Sequence, residues 1–349
     1  MDTRIPVTVL TGYLGAGKTT LLNRILGEDH GRRYAVIVNE FGEIGIDGDL
    51  IASGDEELFE MNNGCICCTV RGDLIRTLHG LLQRGGPDAK PFDAVIVETT
   101  GLADPGPVAQ TFFIDPVLQQ HLALDSITTV VDARHIALRL EDSREAAEQI
   151  AIADQIVLNK TDLAGDAELA SLEARLRRIN PLAPIHRTER ARVALDRILA
   201  RGGFDLDRIV SLEPQFLAGA AGEAEHVHDE HCGHEHGHSH QHAHEHDHHH
   251  DDEISSVSLS SQRPMNRELL TDWLEQLVAR QGRDILRLKG IMDLRSDSNR
   301  FVVQGVHMLL EGQAQRPWKA GEVRQSRLVL IGRKLDAQAL QAGFDACAA

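Results

Sequence analysis

The sequence predicts an α/β fold with a mostly parallel sheet, followed by a disordered His-rich linker and a small α+β domain. Three observations predict it. Short Val- and Ile-rich runs alternate with helical stretches through the first 200 residues, the pattern of a parallel sheet covered by helices on both faces. Residues 219–253 are a low-complexity tract of His and acids with no periodic apolar face, which cannot offset its ordering entropy by burial. Beyond it, strand-like and helix-like segments resume on a smaller scale. The expected boundaries are 1–210, 211–253 and 254–349.

Along the chain, Ile5–Leu10, Tyr34–Val38, Phe92–Val97, Ser126–Val131 and Gln155–Leu158 read as strands, being nearly uninterrupted and β-branched. Lys18–Gly27, Thr69–Arg84, His135–Ala151 and Ala167–Ile179 read as helices between them. After the linker, Ile254–Leu259 alternates as a strand does. Asn266–Arg280 carries Leu269, Leu270, Trp273, Leu274, Leu277 and Val278 at helical spacing. Ile285–Leu294, Phe301–Leu310 and Arg327–Gly332 follow as strands, then a short final helix, giving one sheet with helices on one side.

Apolar residues make up 42% of the 349, enough for a sizeable core, and with aromatics at 4% aliphatic side chains must fill it. The net charge of −17 argues against a sequence-independent grip on nucleic acid. Ten Asp and Glu, and no Lys or Arg, fall in residues 223–253, so the remainder is only mildly acidic. No apolar run approaches the roughly 18–20 residues that span a bilayer, and no signal peptide precedes Ile5. Three of the five cysteines crowd into Cys65, Cys67 and Cys68, unlike a secreted disulfide framework. The expectation is a cytoplasmic protein with reduced thiols and no membrane or nucleic-acid partner.

Gly12-Tyr-Leu-Gly15-Ala16-Gly17-Lys18-Thr19 fits G-x-x-x-x-G-K-[ST] between a strand and a helix, which makes the first part a P-loop NTPase domain. The glycines let backbone N–H groups converge on phosphate oxygens, and the helix N-terminus adds its positive end. Lys18 is placed to reach the β- and γ-phosphates, the Thr19 hydroxyl to ligate Mg²⁺, and Thr20 to touch the α-phosphate. The strand 94–98 ends in Glu98, with Gly101 three residues on. An acid there can complete the Mg²⁺ shell, and the glycine N–H can approach the γ-phosphate. The competing reading is a strand that happens to end in a carboxylate.

Asn159-Lys160-Thr161-Asp162 closes another strand as N-K-x-D. The Asp162 carboxylate can accept from guanine N1–H and N2–H₂ together, a donor pair adenine lacks. The Lys160 stem can lie along the base and Asn159 can brace the loop. Alone, the tetrapeptide is an ordinary surface turn; after a strand of a P-loop domain it points to GTP.

Gly64-Cys65-Ile-Cys67-Cys68 brings three thiols within four residues, just before a helix and near Arg71. Thiolates select Zn²⁺, Cu⁺ or Co²⁺, and three sulfurs leave a fourth tetrahedral position open, which suits an ion in transit. A helix N-terminus and Arg71 would lower the thiol pKa values. A redox-active disulfide and plainly buried cysteines are the alternatives.

With TGYLGAGKTTLLN, VNEFGEIGIDGDLI, NGCICCTVRGDL, VIVETTGLADP and LNKTD, and with FVVQGVH, Trp318 and SRLVLIGR in the last hundred residues, the chain resembles the CobW-type metallochaperone GTPases, relatives of HypB and UreG. The resemblance covers nearly everything except the His tract. It implies GTP hydrolysis coupled to insertion of Zn²⁺ or Co²⁺ into an apo-metalloenzyme client chosen by the C-terminal domain. It makes residues 39–47 the first switch region, with Glu40, Glu43 and Asp47 as oxygen donors toward Mg²⁺ or the attacking water; solvated loop acids are the equal alternative. Lys18, Glu98 and Asp47 are then the candidate catalytic residues. A cobalt chaperone for cobalamin synthesis and a metal-sensing or buffering GTPase remain open, as does the choice between monomer and homodimer. Thirteen histidines in residues 226–250 read either as a low-affinity metal reservoir or as a linker. His307, on an expected strand, reads as a core or contact residue in preference to a metal ligand.

Overall fold

The computed structural model describes residues 4–28, 31–40, 57–62, 68–83, 92–199 and 254–348. The chain begins β1 (Ile5–Thr11), α1 (Lys18–Gly27), β2 (Tyr34–Glu40), β3 (Glu57–Asn62), α2 (Cys68–Gln83) and β4 (Ala94–Glu98). It continues with α3 (Gly106–Ile114), α4 (Pro116–His121), β5 (Leu122–Asp132), α5 (Ile136–Asp142), α6 (Arg144–Ile152), β6 (Gln155–Asn159), α7 (Asp166–Ile179) and β7 (Ile185–Arg187). The strands form one parallel sheet in the order β3-β2-β4-β1-β5-β6-β7. β1 and β4 are buried along nearly their whole length because helices cover both faces.

The helix expected over His135–Ala151 is two helices. Ser143 leaves the helical conformation at φ −135° and its hydroxyl accepts from Ala146 N–H, capping α6 and ending α5. The short strands β3 and β7 and the helices α3 and α4 also went unread. α3 and α4 are separated only by Asp115, whose carboxylate caps α4 by accepting from Val117 and Leu118.

The last part comprises β8 (Ser255–Ser261), α8 (Arg267–Gln281), β9 (Ile285–Asp293), β10 (Asn299–Val306), β11 (Leu309–Pro317), β12 (Ser326–Gly332) and α9 (Ala337–Ala346). Its sheet, antiparallel throughout, runs β11-β10-β9-β12-β8. The strand expected over Phe301–Leu310 is instead the two arms of a hairpin. The chain reverses at His307 and Met308, with His307 in the left-handed region at φ 51°. An apolar run hid the turn, because no glycine or asparagine marks it.

α8 and α9 pack on one face through Leu270, Leu274, Leu277, Leu340 and Phe344, as expected. Cys347 is buried with them, its thiol donating toward Gly343 O at 3.2 Å, and burial pushes its pKa up. The other face meets the parallel-sheet domain. Leu286, Val329 and Ile331 pack there with Ile254 against Ala151 and Leu182. Among these apolar groups Asp154, at the start of β6, accepts from Arg287 at 2.5 Å and from Lys289, and caps Ile127 N–H at 2.9 Å. Burial alone would raise the Asp154 carboxyl; the Arg287 and Lys289 charges override it and hold it below the usual carboxylate range. Among the described residues no helix is long and apolar enough to cross a membrane.

Candidate nucleotide site

The candidate site lies at the carboxyl ends of β1, β4, β5 and β6, where three loops converge. In the first, Gly12, Gly15 and Gly17 adopt φ of 140°, 72° and 109°, values that L side chains rarely take. Space is as restrictive as conformation. A Cβ on Gly12 would lie 2.1 Å from Val130 O, and one on Gly17 2.5 Å from the Asn159 amide nitrogen. α1 starts at Lys18, so its free N–H groups face the loop. The Lys18 side chain is buried and its Nζ donates to Gly12 O at 2.8 Å, across the hollow of the loop. Thr19 is half-buried and Thr20 exposed on the first turn of α1.

β4 delivers Glu98 beside Leu10 in register with β1, two residues before the glycine loop, and Glu98 is 3% exposed. Thr99 locks the strand ends together, its hydroxyl donating to that of Thr11 at 2.8 Å and its N–H to Leu10 O at 2.9 Å. Gly101 then passes so close to the glycine loop that a Cβ would meet Leu14 N at 2.7 Å and Leu14 Cα at 2.8 Å. The hydroxyl of Thr19 and the carboxylate of Glu98 are hard oxygen donors on adjoining elements beside a phosphate cradle, a donor set that fits Mg²⁺.

The third loop follows β6. Asn159 is 2% exposed; its amide donates to Ala16 O at 2.9 Å, and its Oδ1 accepts from Ala191 N–H at 2.7 Å. It therefore braces the glycine loop against the turn after β7. Lys160 is left-handed at φ 62°, which costs a non-glycine residue about 1–2 kcal/mol. Its ammonium spans Gly15 O at 2.8 Å and Asp132 Oδ2 at 2.7 Å. Asp162 is exposed in the 3₁₀ turn Thr161–Leu163.

Asp132 and Gln149 escaped the sequence reading. Asp132 ends an apolar strand as Glu98 does, so the signal was present. Burial tends to raise its carboxyl, and the bonds from Lys160 and His135 lower it further than burial lifts it. Gln149 of α6, 1% exposed, donates to both Gly101 O at 3.1 Å and Ala103 O at 3.0 Å; nothing in sequence set this glutamine apart. Asp47, Glu43, Cys65 and Cys67 lie outside the described residues, as does the tract 226–250; Glu40 closes β2 and Cys68 opens α2. Arg71, read as a neighbour of the thiols, donates to Gln110 on α3 at 2.6 Å.

Residues 6–187 match the CobW/HypB/UreG nucleotide-binding domain, and residues 254–348 match the C-terminal domain of cobalamin synthesis protein CobW. The chain belongs to the CobW/HypB/UreG family. Among CobW-type relatives, it is 36% identical to the zinc chaperone YjiA of Escherichia coli over 97% of this chain and 98% of that one. It is 33% identical to the zinc-regulated GTPase metalloprotein activator 1 of Schizosaccharomyces pombe, over 95% of this chain and 83% of the relative. The crystal structure of the zinc-bound YjiA GTPase from E. coli superposes with a TM-score of 0.69 at 28% identity, covering all of both chains.

Proposed function

We propose that this CobW-family protein is a cytoplasmic GTPase metallochaperone. It binds GTP with Mg²⁺ at the three-loop site, hydrolyses it, and hands a transition metal, zinc first, from Cys65, Cys67 and Cys68 to an apo-metalloenzyme recognised through the C-terminal domain. The observation that carries the nucleotide part is the glycine loop, locked by Asn159 and capped by Lys18, with Gly101 pressed against Leu14. The zinc cargo rests on the relatives' names and on the three-thiol sequence.

Thr19 and Glu98 would hold Mg²⁺, which would supply positive charge to the phosphate chain. Lys18 exchanges Gly12 O for a phosphate oxygen, and the N–H groups at the start of α1 take the rest of the chain of phosphates. The Gly101 N–H meets the γ-phosphate. Asp162 accepts from the guanine edge while Lys160, fixed by Asp132 and Gly15, lies along the base. Replacing Asp162 by Ala should weaken GTP by about 10- to 100-fold, the loss of a hydrogen-bonded charge, and leave ATP affinity unchanged, as read by competition titration.

Loss of the γ-phosphate contacts loosens the switch segments and with them the thiol site. Linkage then requires metal and GTP each to tighten the other by the same factor. The test is zinc affinity, measured against a competing chelator, with a non-hydrolysable GTP analogue and with GDP. Tighter zinc in the analogue state, abolished by Cys67→Ala, is the expected result. Equal affinities in the two states would remove the coupling, and retention of tight zinc by Cys67→Ala would remove the thiol site as cargo site.

A further inference from the structure

The loop leaving β4, residues 99–106, is gripped by the C-terminal domain at two places. His307, at the tip of the β10–β11 hairpin, has its Nε2 3.7 Å from Asp104 Oδ2. The same ring packs on Gly106 so closely that a Cβ there would lie 2.5 Å from His307 Cδ2 and Nε2. Asp104 is thereby tied on both sides, because its Oδ1 accepts from Gly106 N–H at 2.8 Å. The second grip runs through α6. Arg333, 3% exposed at the end of β12, donates to Glu148 at 2.5 Å. The next residue along, Gln149, holds Gly101 O and Ala103 O. Both grips end on the loop whose Gly101 packs against the phosphate-binding turn.

We propose that Gln149 and His307 are positioning residues through which the C-terminal domain sets the Gly101 N–H at the γ-phosphate, making residues 101–106 the relay between client-binding domain and hydrolysis site. The inference rests on the GTPase reading. The Gly101 N–H shares its peptide plane with Thr100 O, which accepts from Ala103 N–H at 3.1 Å. Gln149 holds the carbonyls of Gly101 and Ala103 in that same turn, so the Gly101 N–H direction follows from the turn that Gln149 braces. Displacing the hairpin tip releases Asp104, the other anchor of the same loop. A client that binds the C-terminal domain differently in the two hairpin positions thereby changes hydrolysis, and by reciprocity the γ-phosphate changes affinity for the client.

The test uses the full chain and four variants, Gln149→Glu, His307→Ala, His307→Gln and the pair His307→Ala with Asp104→Asn. Gln149→Glu keeps the volume and removes the double donor. Gln149→Glu and His307→Ala should lower kcat, and the affinity for a non-hydrolysable GTP analogue, by about fivefold or more, with GDP affinity unchanged. His307→Gln, which keeps a donor for Asp104, should recover most of the loss, and the double variant should lose no more than His307→Ala alone. In the wild type, amide exchange over residues 304–310 should differ between the GDP and analogue states, and Gln149→Glu should erase that difference. GDP and analogue affinities falling together would mark these residues as merely structural and overturn the proposal. So would hairpin exchange that ignores the nucleotide. Failure of the wild type to bind GDP at all would instead overturn the GTPase reading.

Discussion

Asp154→Ala should cost about 3–5 kcal/mol of unfolding free energy, the loss that follows when a buried ion pair is deprived of one partner. The carboxylate is the shared acceptor for Arg287 and Lys289 and also caps Ile127. Alanine leaves two cations in a seam otherwise lined by Ala151, Leu182, Leu286 and Ile331. Neither cation reaches water, since Arg287 is 1% and Lys289 7% exposed. Denaturant melts at neutral pH read the loss directly. The same group gives the melts a pH signature. Its folded pKa lies below the unfolded value of about 3.9. The stability it confers is therefore complete above that value and disappears as the pH falls through the folded one. Asp154→Ala should flatten this acid limb. An Asp154→Ala melt that matches the wild type would show that the seam is not held by this cluster.

Gly101→Ala should lower kcat by about 100-fold or more, the order expected when a misplacement near 1 Å enters a preorganised site. The added methyl meets backbone, Leu14 N and Cα, and not the free end of a flexible side chain. Either the glycine loop or the Gly101–Asp104 segment must shift, and in the proposed GTP complex both face the γ-phosphate. GDP, which makes no γ-phosphate contact, should bind the variant within about threefold of the wild type, which separates a displaced loop from a collapsed one. Single-turnover hydrolysis together with GDP titration provides the check. Wild-type turnover in Gly101→Ala would mean that Gly101 stands away from the reacting phosphate.

Much of this was legible in the chain. G-x-x-x-x-G-K-[ST], the Glu98 strand end and N-K-x-D each place polar or glycine residues at one strand terminus, and the described structure brings all three loops together. What the sequence left unread is non-local. β9 reads Arg287-Leu-Lys289-Gly-Ile-Met, with charges at period two, the usual mark of a face in water. That face is instead buried against the other sheet's flank, and its charges are answered by Asp154, which sits 133 positions earlier. Gln149 is similar: an amphipathic helix shows which face is apolar, but not that one polar side chain within it reaches a loop from another strand. The His307 turn was missed for the same kind of reason. A left-handed histidine is stabilised by packing on Gly106, and sequence-level turn chemistry carries no trace of that contact.

The seam between the two sheets also constrains how the protein is made. Asp154 is translated long before Arg287 and Lys289, and at ribosomal speeds the interval is on the order of ten seconds. Throughout that time the nascent α6–α7 flank carries an anion with no counter-charge beside apolar side chains with no cover. The parallel sheet can fold first as a unit, but this flank gains the cover of Leu286, Val329 and Ile331 and the counter-charges of Arg287 and Lys289 only after β9 and β12 have left the exit tunnel.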